Sequence, residues 1–482
     1  MDGRAALLRR RQILLLCAGF ALITAVVPFA RAFFLFELNY NEGWNVYNAN
    51  VVVNHQLLYP VAYRWTTVNY PMLSFFVLAW LHRLTHEYLF TARVLSLLSV
   101  AGCSALVSAI VRRLGAAWQP SVLAGFFCLA MFCSNADGYV GMDDPQMFAQ
   151  LFFLAGLLVY VWNRRSFRAI ACAALLFVTG GCIKHNLIDF PLAVLIDLCF
   201  VSRLRAVWFV LCGVFLAGIA VVLNVHYGGP YFLSQLLAPR EYGVGKSFEM
   251  LGVVLGPVLL PLGVAVFMAI KVRRDPVLRI AAILLGTTVV IGWYFSGGHG
   301  VAINGLFSSL LAIAILVGLF FERSDFSGWM WRGRCIATWA PPILFAWLTI
   351  PLIISGDVNP VGALGAAASA QRRFAGEVKT LRGLPGPALC ESLLRCYFAG
   401  KPYLYDPFNA TRLIRFGKLD AGVLVDGIRR GQYGAIQLDG QMTDEADLER
   451  FDPAVLAAIQ QYYFVAAHDE DVAIYVPKRG ER

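Results

Sequence analysis

The feature that most constrains this chain is a series of apolar segments along its first 355 residues. A helix needs about 20 apolar residues to cross the roughly 30 Å hydrocarbon core of a bilayer. Windows of about this length, several of them somewhat shorter, predict about eleven crossings, near residues 12–34, 93–112, 119–134, 145–163, 169–183, 186–202, 206–224, 250–271, 279–296, 303–321 and 335–355. The sequence therefore predicts a polytopic α-helical membrane protein.

Composition supports this class and argues against nucleic-acid binding. Hydrophobic residues make up 59% of the chain and charged residues 15%, which is more apolar surface than a soluble domain exposes. The net charge of +10 invites a nucleic-acid interpretation. The basic residues, however, lie in short clusters at the ends of apolar segments and not on one face of a soluble domain.

Those basic clusters also predict the orientation in the membrane. Short cytoplasmic loops are enriched in lysine and arginine. If the N-terminus is cytoplasmic, the main clusters all fall on the same side: Arg9, Arg10, Arg11, Arg112, Arg113, Arg164, Arg165, Arg168, Arg203, Arg205, Lys271, Arg273, Arg274, Arg332 and Arg334. The first segment is longer than the apolar part of a typical signal peptide, so we expect it to be a retained anchor.

A long outer loop, residues 36–92, is predicted between the first two crossings. It contains the apolar stretch "PMLSFFVLAWLHRL", residues 71–84, which is too short to span a bilayer. If this stretch crossed the membrane, Arg112 and Arg113 would lie on the outer side, away from the other basic clusters. We expect an interfacial helix in the outer leaflet, with Trp80 and His82 at headgroup level. The predicted membrane domain, including this loop, covers residues 1–355.

The chain changes character after residue 355. Residues 356–371 form a linker rich in small residues, and residues 372–482 predict a small extracytoplasmic α/β domain. Short strands are expected at "PALCES", "KPYLYD", "GAIQLD", "YFVAAH" and "VAIYVP", and helices at "AGVLVDGIRRG" and "PAVLAAIQQYY". Cys390 and Cys396 belong to this domain, and the sequence leaves their pairing open.

Unusual polar residues collect in the loops predicted to lie on the outer side. They are Glu37, Asn41, Glu42, Asp137, Asp143, Asp144, Lys184, His185, Asn186, Arg240, Glu241, Lys246, His299 and Asn304. Ionisable groups at membrane depth are costly and tend to be functional. Carboxylates, a lysine and histidines at one leaflet boundary suggest a ligand with an anionic head and a lipid tail.

Structural explanations exist for several of these residues. Asp144 followed by Pro145 is a favourable start for a helix, with aspartate as N-cap and proline at the first position. Solvation of charged side chains at the end of a loop also explains Arg240, Glu241 and Lys246. Lys184 is harder to explain in this way, because its turn contains little soluble chain.

Several motifs resemble the glycosyltransferase C superfamily. The matching stretches are "NYNEGWNVYNA", "LYP", "NYPMLSFFVLAWLHRL", "TARVLSLLSV", "GMDDPQMFAQLFFLAGL", "GGCIKHNLIDFPLAV" and "GGHGVAINGLFSSLL". They follow one another over about residues 12–320. The resemblance is to the family 39-like branch, which contains protein O-mannosyltransferases and lipid A aminoarabinose transferases.

The resemblance implies a membrane glycosyltransferase. It would move a sugar from a polyprenyl-phosphate donor to an acceptor hydroxyl at the outer face of a bacterial-type inner membrane. We expect a single displacement, which inverts the anomeric configuration. The acceptor is a lipid, a glycan or a protein, and no nucleic acid is implied. The family's first outer loop usually carries Asp-Glu, whereas this chain has Asn41-Glu42. The expected carboxylate therefore becomes Glu42, with Asp143 or Asp144 as partner or substitute.

The chemistry of transfer suggests roles for the remaining residues. A carboxylate takes the proton of the acceptor hydroxyl. A cation offsets the charge on the leaving phosphate, and Lys184, His185 and Arg240 are the candidates. Sugar recognition is expected from amide hydrogen bonds and ring packing, at Asn41, Trp44, Asn45, Tyr47, His299 and Asn304. The residues do not imply a metal site, and they do not exclude a divalent metal.

Two other functions remain open from the sequence. A transporter or flippase for a lipid-linked or anionic substrate would use the same charges without chemistry. The polar residues lie in outer turns, however, and not near the middle of the membrane. A catalytically silent relative could instead use its external domain to bind partners. The residues do not identify the sugar, the acceptor, the length of the carrier chain or the oligomeric state.

Overall fold

The computed structural model describes residues 3–323, 330–331, 334–335, 339–440, 450–469 and 472–478. Contacts divide the chain into two compact units. Unit 1 comprises Met1–Phe33, Arg93–Val221 and Glu241–Gly365, and unit 2 comprises Phe34–Ala92, Val222–Arg240 and Ala366–Arg482. The outer loop predicted within the membrane domain therefore belongs to the same unit as the C-terminal residues.

Unit 1 is almost entirely helical. Each helix is assigned here to the unit that holds most of it, and the helices of unit 1 are Gly3–Arg31, Tyr88–Arg113, Trp118–Asn135, Pro145–Trp162, Phe167–Gly181, Asp189–Val201, Arg203–Leu223, Val244–Leu255, Leu259–Val272, Arg279–Ser296, Phe307–Arg323 and Ala340–Ser355. Short 3₁₀ turns occur at Asp137–Tyr139 and Ile303–Leu306. Two short strands, Met330–Trp331 and Arg334–Cys335, pair in antiparallel fashion.

The helices confirm a polytopic helical membrane protein. Among the described residues, six helices are long and apolar enough to cross a bilayer, or up to eight if each of two bent pairs counts as one span. One such pair, Val244–Leu255 and Leu259–Val272, is bent by 96°, at a break that contains Pro257, which lacks a backbone N–H group. Each of the eleven predicted segments coincides with a helix or a bent pair. The number that cross stays a prediction.

The helix Phe307–Arg323 forms the centre of unit 1. Nearly all of its side chains are buried, and it packs against Trp118–Asn135, Leu259–Val272 and Arg279–Ser296. A helix that is apolar on every face is typical of such a central position. Gly318 allows this helix to lie close to the helix Trp118–Asn135, because a Cβ atom at Gly318 would be only 2.5 Å from the side chain of Ala124.

Unit 2 combines helices with a small sheet. Its helices are Asn41–Val53, Leu73–Thr85, Asn224–Gly228 (a π-helix), Phe232–Leu236, Pro360–Gly383, Leu393–Phe398, Pro407–Arg415, Ala421–Arg429 and Pro453–Tyr462. The strands lie in the order Ala388–Cys390, Ala435–Asp439, Val472–Pro477 and Tyr463–His468. The first pair is parallel and the other two are antiparallel. One face of this sheet contributes to an apolar core with the helices Ala421–Arg429 and Pro453–Tyr462.

Most local predictions for the C-terminal residues are confirmed. Four of the five expected strands and both expected helices are present. The strand at "KPYLYD" is wrong, because Asp406 donates its backbone N–H to Trp65 and caps the helix Pro407–Arg415 with its side chain. Part of the predicted linker is helical, since Pro360–Gly383 begins within it and alanine is the strongest helix former. Cys390 and Cys396 form a disulfide, with Cα atoms 5.9 Å apart.

Candidate functional site

An acidic turn in unit 1 precedes the helix Pro145–Trp162. Gly141 within this turn has φ +73°, and a Cβ atom there would lie 2.6 Å from Ala32. Glycine is therefore required by both conformation and space. The turn buries Asp143 and Asp144. Asp144 is the N-cap of the helix, because its Oδ1 accepts from the backbone N–H of Gln146 at 2.7 Å. The capping role expected from the sequence is confirmed.

The second carboxylate oxygen of Asp144 contacts a buried lysine. Lys184 Nζ lies 3.7 Å from Asp144 Oδ2, and both side chains are almost fully buried. The amide of Asn304 donates to the same oxygen at 3.5 Å. A strong charged hydrogen bond is typically about 2.7–2.9 Å long, and both of these distances are about 0.6 Å or more above that range. The structure therefore brings together three of the predicted residues in one buried group, named here the Lys184 cluster.

Unused hydrogen-bonding capacity lies next to this cluster. Gln146 and Gln150 are one turn apart on the helix Pro145–Trp162, and both are buried. Gln150 donates to Ser308 at 2.8 Å, but its Oε1 has no partner among the residues that the structure describes. The same holds for both polar atoms of the Gln146 side chain. An unsatisfied buried polar group costs about 1–3 kcal/mol, so these amides indicate a place where a polar ligand or water binds.

Two predicted histidines have different surroundings. His185 is exposed, although the neighbouring Lys184 is buried. His299 is half-buried, and its Nδ1 lies 3.7 Å from Glu241 Oε2. The backbone N–H of His299 also donates to the carbonyl of Glu241 at 2.9 Å. Neither histidine shares the buried position of Lys184.

Glu42 in unit 2 is fully buried in the first turn of the helix Asn41–Val53. Its Oε2 accepts from the backbone N–H of Leu38 at 2.8 Å. A carboxylate in the first turn also interacts favourably with the helix dipole. Asn41 is half-buried at the start of this helix, and Asn45 is buried one turn later.

The two predicted aromatic residues of this helix are held by protein contacts. Trp44 packs edge-on against Tyr70 and Phe75, at centroid distances of 5.0 Å and 5.4 Å. Tyr47 stacks on Tyr403 at 4.7 Å, and its hydroxyl donates to the carbonyl of Lys401 at 2.8 Å. These contacts explain Tyr47 without a ligand.

Arg240 also belongs to unit 2, where it is half-buried. Burial lowers the pKa of its guanidinium, and the nearby Tyr70 opposes this shift. The structure therefore places the three predicted phosphate ligands in three different environments. Lys184 is the buried one, His185 is exposed, and Arg240 lies in the other unit.

The sequence missed one charged group in unit 2. Arg395 binds Glu37 through one nitrogen, at 3.2 Å, and Glu377 through another, at 2.5 Å. Asp439 also contacts Arg395, at 3.1 Å. Glu37 and Arg395 are 358 residues apart, so no sequence spacing could have revealed their pairing.

A second missed group lies in unit 1. Asp197 is fully buried and accepts from the Tyr160 hydroxyl at 2.6 Å and from Arg279 at 2.9 Å. Arg164 lies 3.4 Å from the same carboxylate. This Asp197 cluster joins three helices. Its only signal in the sequence is one aspartate inside an apolar segment.

The fold resembles solved membrane glycosyltransferases over nearly its whole length. ArnT from Cupriavidus metallidurans, bound to undecaprenyl phosphate, superposes with a TM-score of 0.58, at 13% identity, over 96% of this chain and 98% of that chain. Its apo form gives a TM-score of 0.59 over 95% and 96% of the two chains, also at 13% identity. The chain therefore has the glycosyltransferase C fold. This confirms the resemblance stated from the motifs at the level of architecture.

A second solved protein shares this fold. The apo oligosaccharyltransferase from Archaeoglobus fulgidus superposes with a TM-score of 0.53, at 10% identity, over 98% of this chain and 75% of that chain. No family model matches the sequence, and no curated protein matches it either. At these identities, structural similarity establishes architecture, and function must be argued from the residues.

Proposed function

We propose that this protein is a membrane glycosyltransferase that moves a sugar from a polyprenyl-phosphate donor to an acceptor hydroxyl. The observation that carries the proposal is the Lys184 cluster, a buried cation beside side-chain amides that have unsatisfied polar atoms among the described residues. A buried charge is costly to maintain and tends to be functional when it lies at membrane depth. The similarity to ArnT bound to undecaprenyl phosphate supports a lipid phosphate as its ligand.

Lys184 would bind the phosphate of the donor. As the glycosidic bond breaks, negative charge grows on the phosphate oxygen that leaves. A fixed ammonium group in a water-poor site stabilises that charge more in the transition state than in the ground state. Asp144 holds Lys184 in place and caps the helix, so both of its oxygens already have structural roles. We therefore assign Asp144 a positioning role.

The proton of the acceptor requires a carboxylate base, and Glu42 is the proposed residue. In the reaction, the acceptor oxygen attacks the anomeric carbon while the bond from that carbon to the phosphate oxygen breaks. The acceptor proton passes to the carboxylate, and polyprenyl phosphate leaves with the bonding electron pair. One direct displacement inverts the anomeric configuration. Asp143, which is buried in unit 1, is the alternative base.

The remaining proposed roles concern recognition and location. Asn41, Trp44 and Asn45 in unit 2 are proposed to recognise the sugar, and Asn304 supports Lys184 through their common partner Asp144. The polar loops are proposed to face the outer side of a bacterial-type inner membrane. No group of three or more His, Cys, Asp or Glu side chains suited to a metal occurs among the searched, described residues.

The test is turnover of a panel of polyprenyl-phosphate sugars by the purified protein in lipid. The wild type is compared with Glu42→Gln and with Glu87→Gln, which changes an exposed glutamate of the same unit. We expect the wild type and Glu87→Gln to consume one donor, and Glu42→Gln to bind that donor without consuming it. Equal consumption by all three would move the base to Asp143. Binding without turnover across a broad acceptor set would favour transport.

A further inference from the structure

Unit 2 contains a cavity of about 350 Å³ that the proposed reaction does not use. One wall is formed by residues 36–40 and another by the helix Pro360–Gly383, with Arg395 and Asp439 completing the lining. The volume falls within the range of about 300–1,000 Å³ that is usual for small-ligand sites. Glu42 and the Lys184 cluster are not among its lining residues.

Charged side chains form a fixed surface in this cavity. Arg395 is bonded to Glu37, Glu377 and Asp439 at once. The side chains of Arg395, Glu37 and Glu377 are only 12%, 10% and 8% exposed, whereas Asp439 is 45% exposed. The cavity is therefore lined by charged side chains that ion pairs hold in place, and the carboxylate of Asp439 is accessible to solvent.

Glu37 has an oxygen that the protein leaves unsatisfied. Its Oε2 is bonded to Ser392 and Arg395, but its buried Oε1 has no hydrogen-bond partner among the described residues. Burial raises the pKa of Glu37 to about 7, although Arg395 and the Ser392 hydroxyl act in the opposite direction. A carboxylate oxygen of this kind in a cavity wall indicates a ligand that donates hydrogen bonds.

The charge balance and the walls narrow the class of ligand. Three carboxylates, Glu37, Glu377 and Asp439, face two guanidinium groups, Arg373 and Arg395. Arg395 is already bonded to all three carboxyl groups, so the lining offers little spare positive charge for a phosphate or a carboxylate. Hydroxyl groups both donate and accept, and so they match a lining that contains both carboxyl and guanidinium groups.

We propose that this cavity binds a neutral or amino sugar belonging to a glycan acceptor. The half-buried ring of Phe36 supplies an apolar wall against which a sugar ring can pack. The identification of the sugar as part of the acceptor rests on the proposed transferase function. Sugar binding by the cavity does not rest on it.

The test measures binding of simple sugars to the intact protein in lipid nanodiscs by saturation-transfer NMR and calorimetry. The probes are the methyl glycosides of glucose, galactose and mannose, free glucosamine, and inorganic phosphate as the anionic alternative. Ala370→Trp fills the cavity without removing a charge. Ala375→Trp is the matched control, because it is exposed on the same helix and does not line the cavity. We expect at least one sugar to bind, with Ala370→Trp weakening it by about tenfold or more and Ala375→Trp leaving it unchanged.

Arg373→Gln provides a second variant if Ala370→Trp does not fold, because Arg373 is exposed and lines the cavity. It is expected to weaken the same sugar. Failure of every sugar to bind the wild type, preferential binding of phosphate, or unchanged sugar affinity in the folded variants would overturn the proposal. Turnover of the donor panel is scored separately. Sugar binding without turnover would refute the proposed function and the acceptor identity of the sugar, and it would leave sugar binding by the cavity intact.

Discussion

The helix Pro145–Trp162 has a buried charged cluster at each end, and the two clusters differ in whether unsatisfied polar atoms of the described residues lie beside them. At its beginning, Asp144 lies 3.7 Å from Lys184 and 3.5 Å from Asn304. Near its end, Tyr160 donates to Asp197 at 2.6 Å, and Arg279 donates to the same carboxylate at 2.9 Å. Sixteen residues along a helix correspond to about 24 Å, so the two ends are well separated.

The difference supports a structural role for the Asp197 end and agrees with the proposed ligand site at the Lys184 end. In the Asp197 cluster, short hydrogen bonds satisfy a fully buried carboxylate and leave little capacity for a ligand. Beside the Lys184 cluster, neither polar atom of the Gln146 side chain has a hydrogen-bond partner among the described residues. Hydrogen-bonding capacity that a folded protein leaves unused is more informative about function than the presence of charge.

The largest expected effect is on stability, at the Asp197 end. Asp197→Asn leaves Arg164 and Arg279 without the carboxylate that neutralises them. Removing one partner of a buried ion pair costs about 3–5 kcal/mol. We expect a large fall in the melting temperature of the purified protein in detergent, with turnover per folded molecule unchanged.

The control for this change is an exposed ion pair. Asp426 contacts Arg429 at 2.8 Å, and both side chains are about half exposed. Asp426→Asn is expected to cost at most about 1 kcal/mol. If the two variants melt at the same temperature, the Asp197 cluster does not stabilise the fold.

The second effect is on catalysis, at the Lys184 end. Lys184→Met keeps the length and apolar stem of the side chain but removes its charge. Loss of one group that stabilises transition-state charge lowers turnover by about 10²–10³-fold. We expect this loss in the donor assay, with a smaller fall in melting temperature than Asp197→Asn causes, because Asp144 keeps its hydrogen bonds to Gln146 and Asn304. A collapse in stability without a specific loss of turnover would make Lys184 a structural residue like Asp197.

The sequence predicted one of these ends and not the other. Polar side chains stand out in the loops between apolar segments, and these loops contain Asp144, Lys184 and Asn304. Their shared contact could not be predicted, because it depends on helix packing across 160 residues. Asp197 was missed because a single acidic residue in an apolar helix does not identify its partners.

The third prediction concerns pH and unit 2. The pKa of Glu37 is about 7 in the folded protein, above its ordinary value of 4.5, because of burial. Between these values the unfolded chain loses a proton that the folded protein retains, so stability falls as pH rises from 4.5 to 7. The contribution is at most about 3 kcal/mol. Glu37→Gln should flatten this part of a curve of melting temperature against pH, and an unchanged slope would contradict the assignment.

The smallest expected effect is at the turn that carries the acidic pair. Gly141→Ala places a side chain at a positive φ and against Ala32. The left-handed conformation alone costs about 1–2 kcal/mol for alanine. We expect a modest fall in melting temperature together with reduced turnover, because the turn leads directly into Asp143 and Asp144. Gly138→Ala, in the same loop with no atom close to its Cβ position, is the control.

Helix positions were the most predictable part of the fold, and long-range contacts were the least predictable. Apolar length locates a helix because the bilayer imposes it. Part of the predicted small-residue linker is helical, which agrees with its many alanines. The Glu37–Arg395 contact joins residues from opposite ends of the chain. The cavity beside that contact could therefore be recognised only in the structure.

The central claim is that the Lys184 cluster binds a lipid phosphate. Its most direct test is binding of undecaprenyl phosphate to the wild type, to Lys184→Met and to Lys271→Met, an exposed lysine of the same unit. The account predicts that Lys184→Met alone loses about tenfold or more in affinity, while remaining folded. Equal affinity in all three proteins would contradict it.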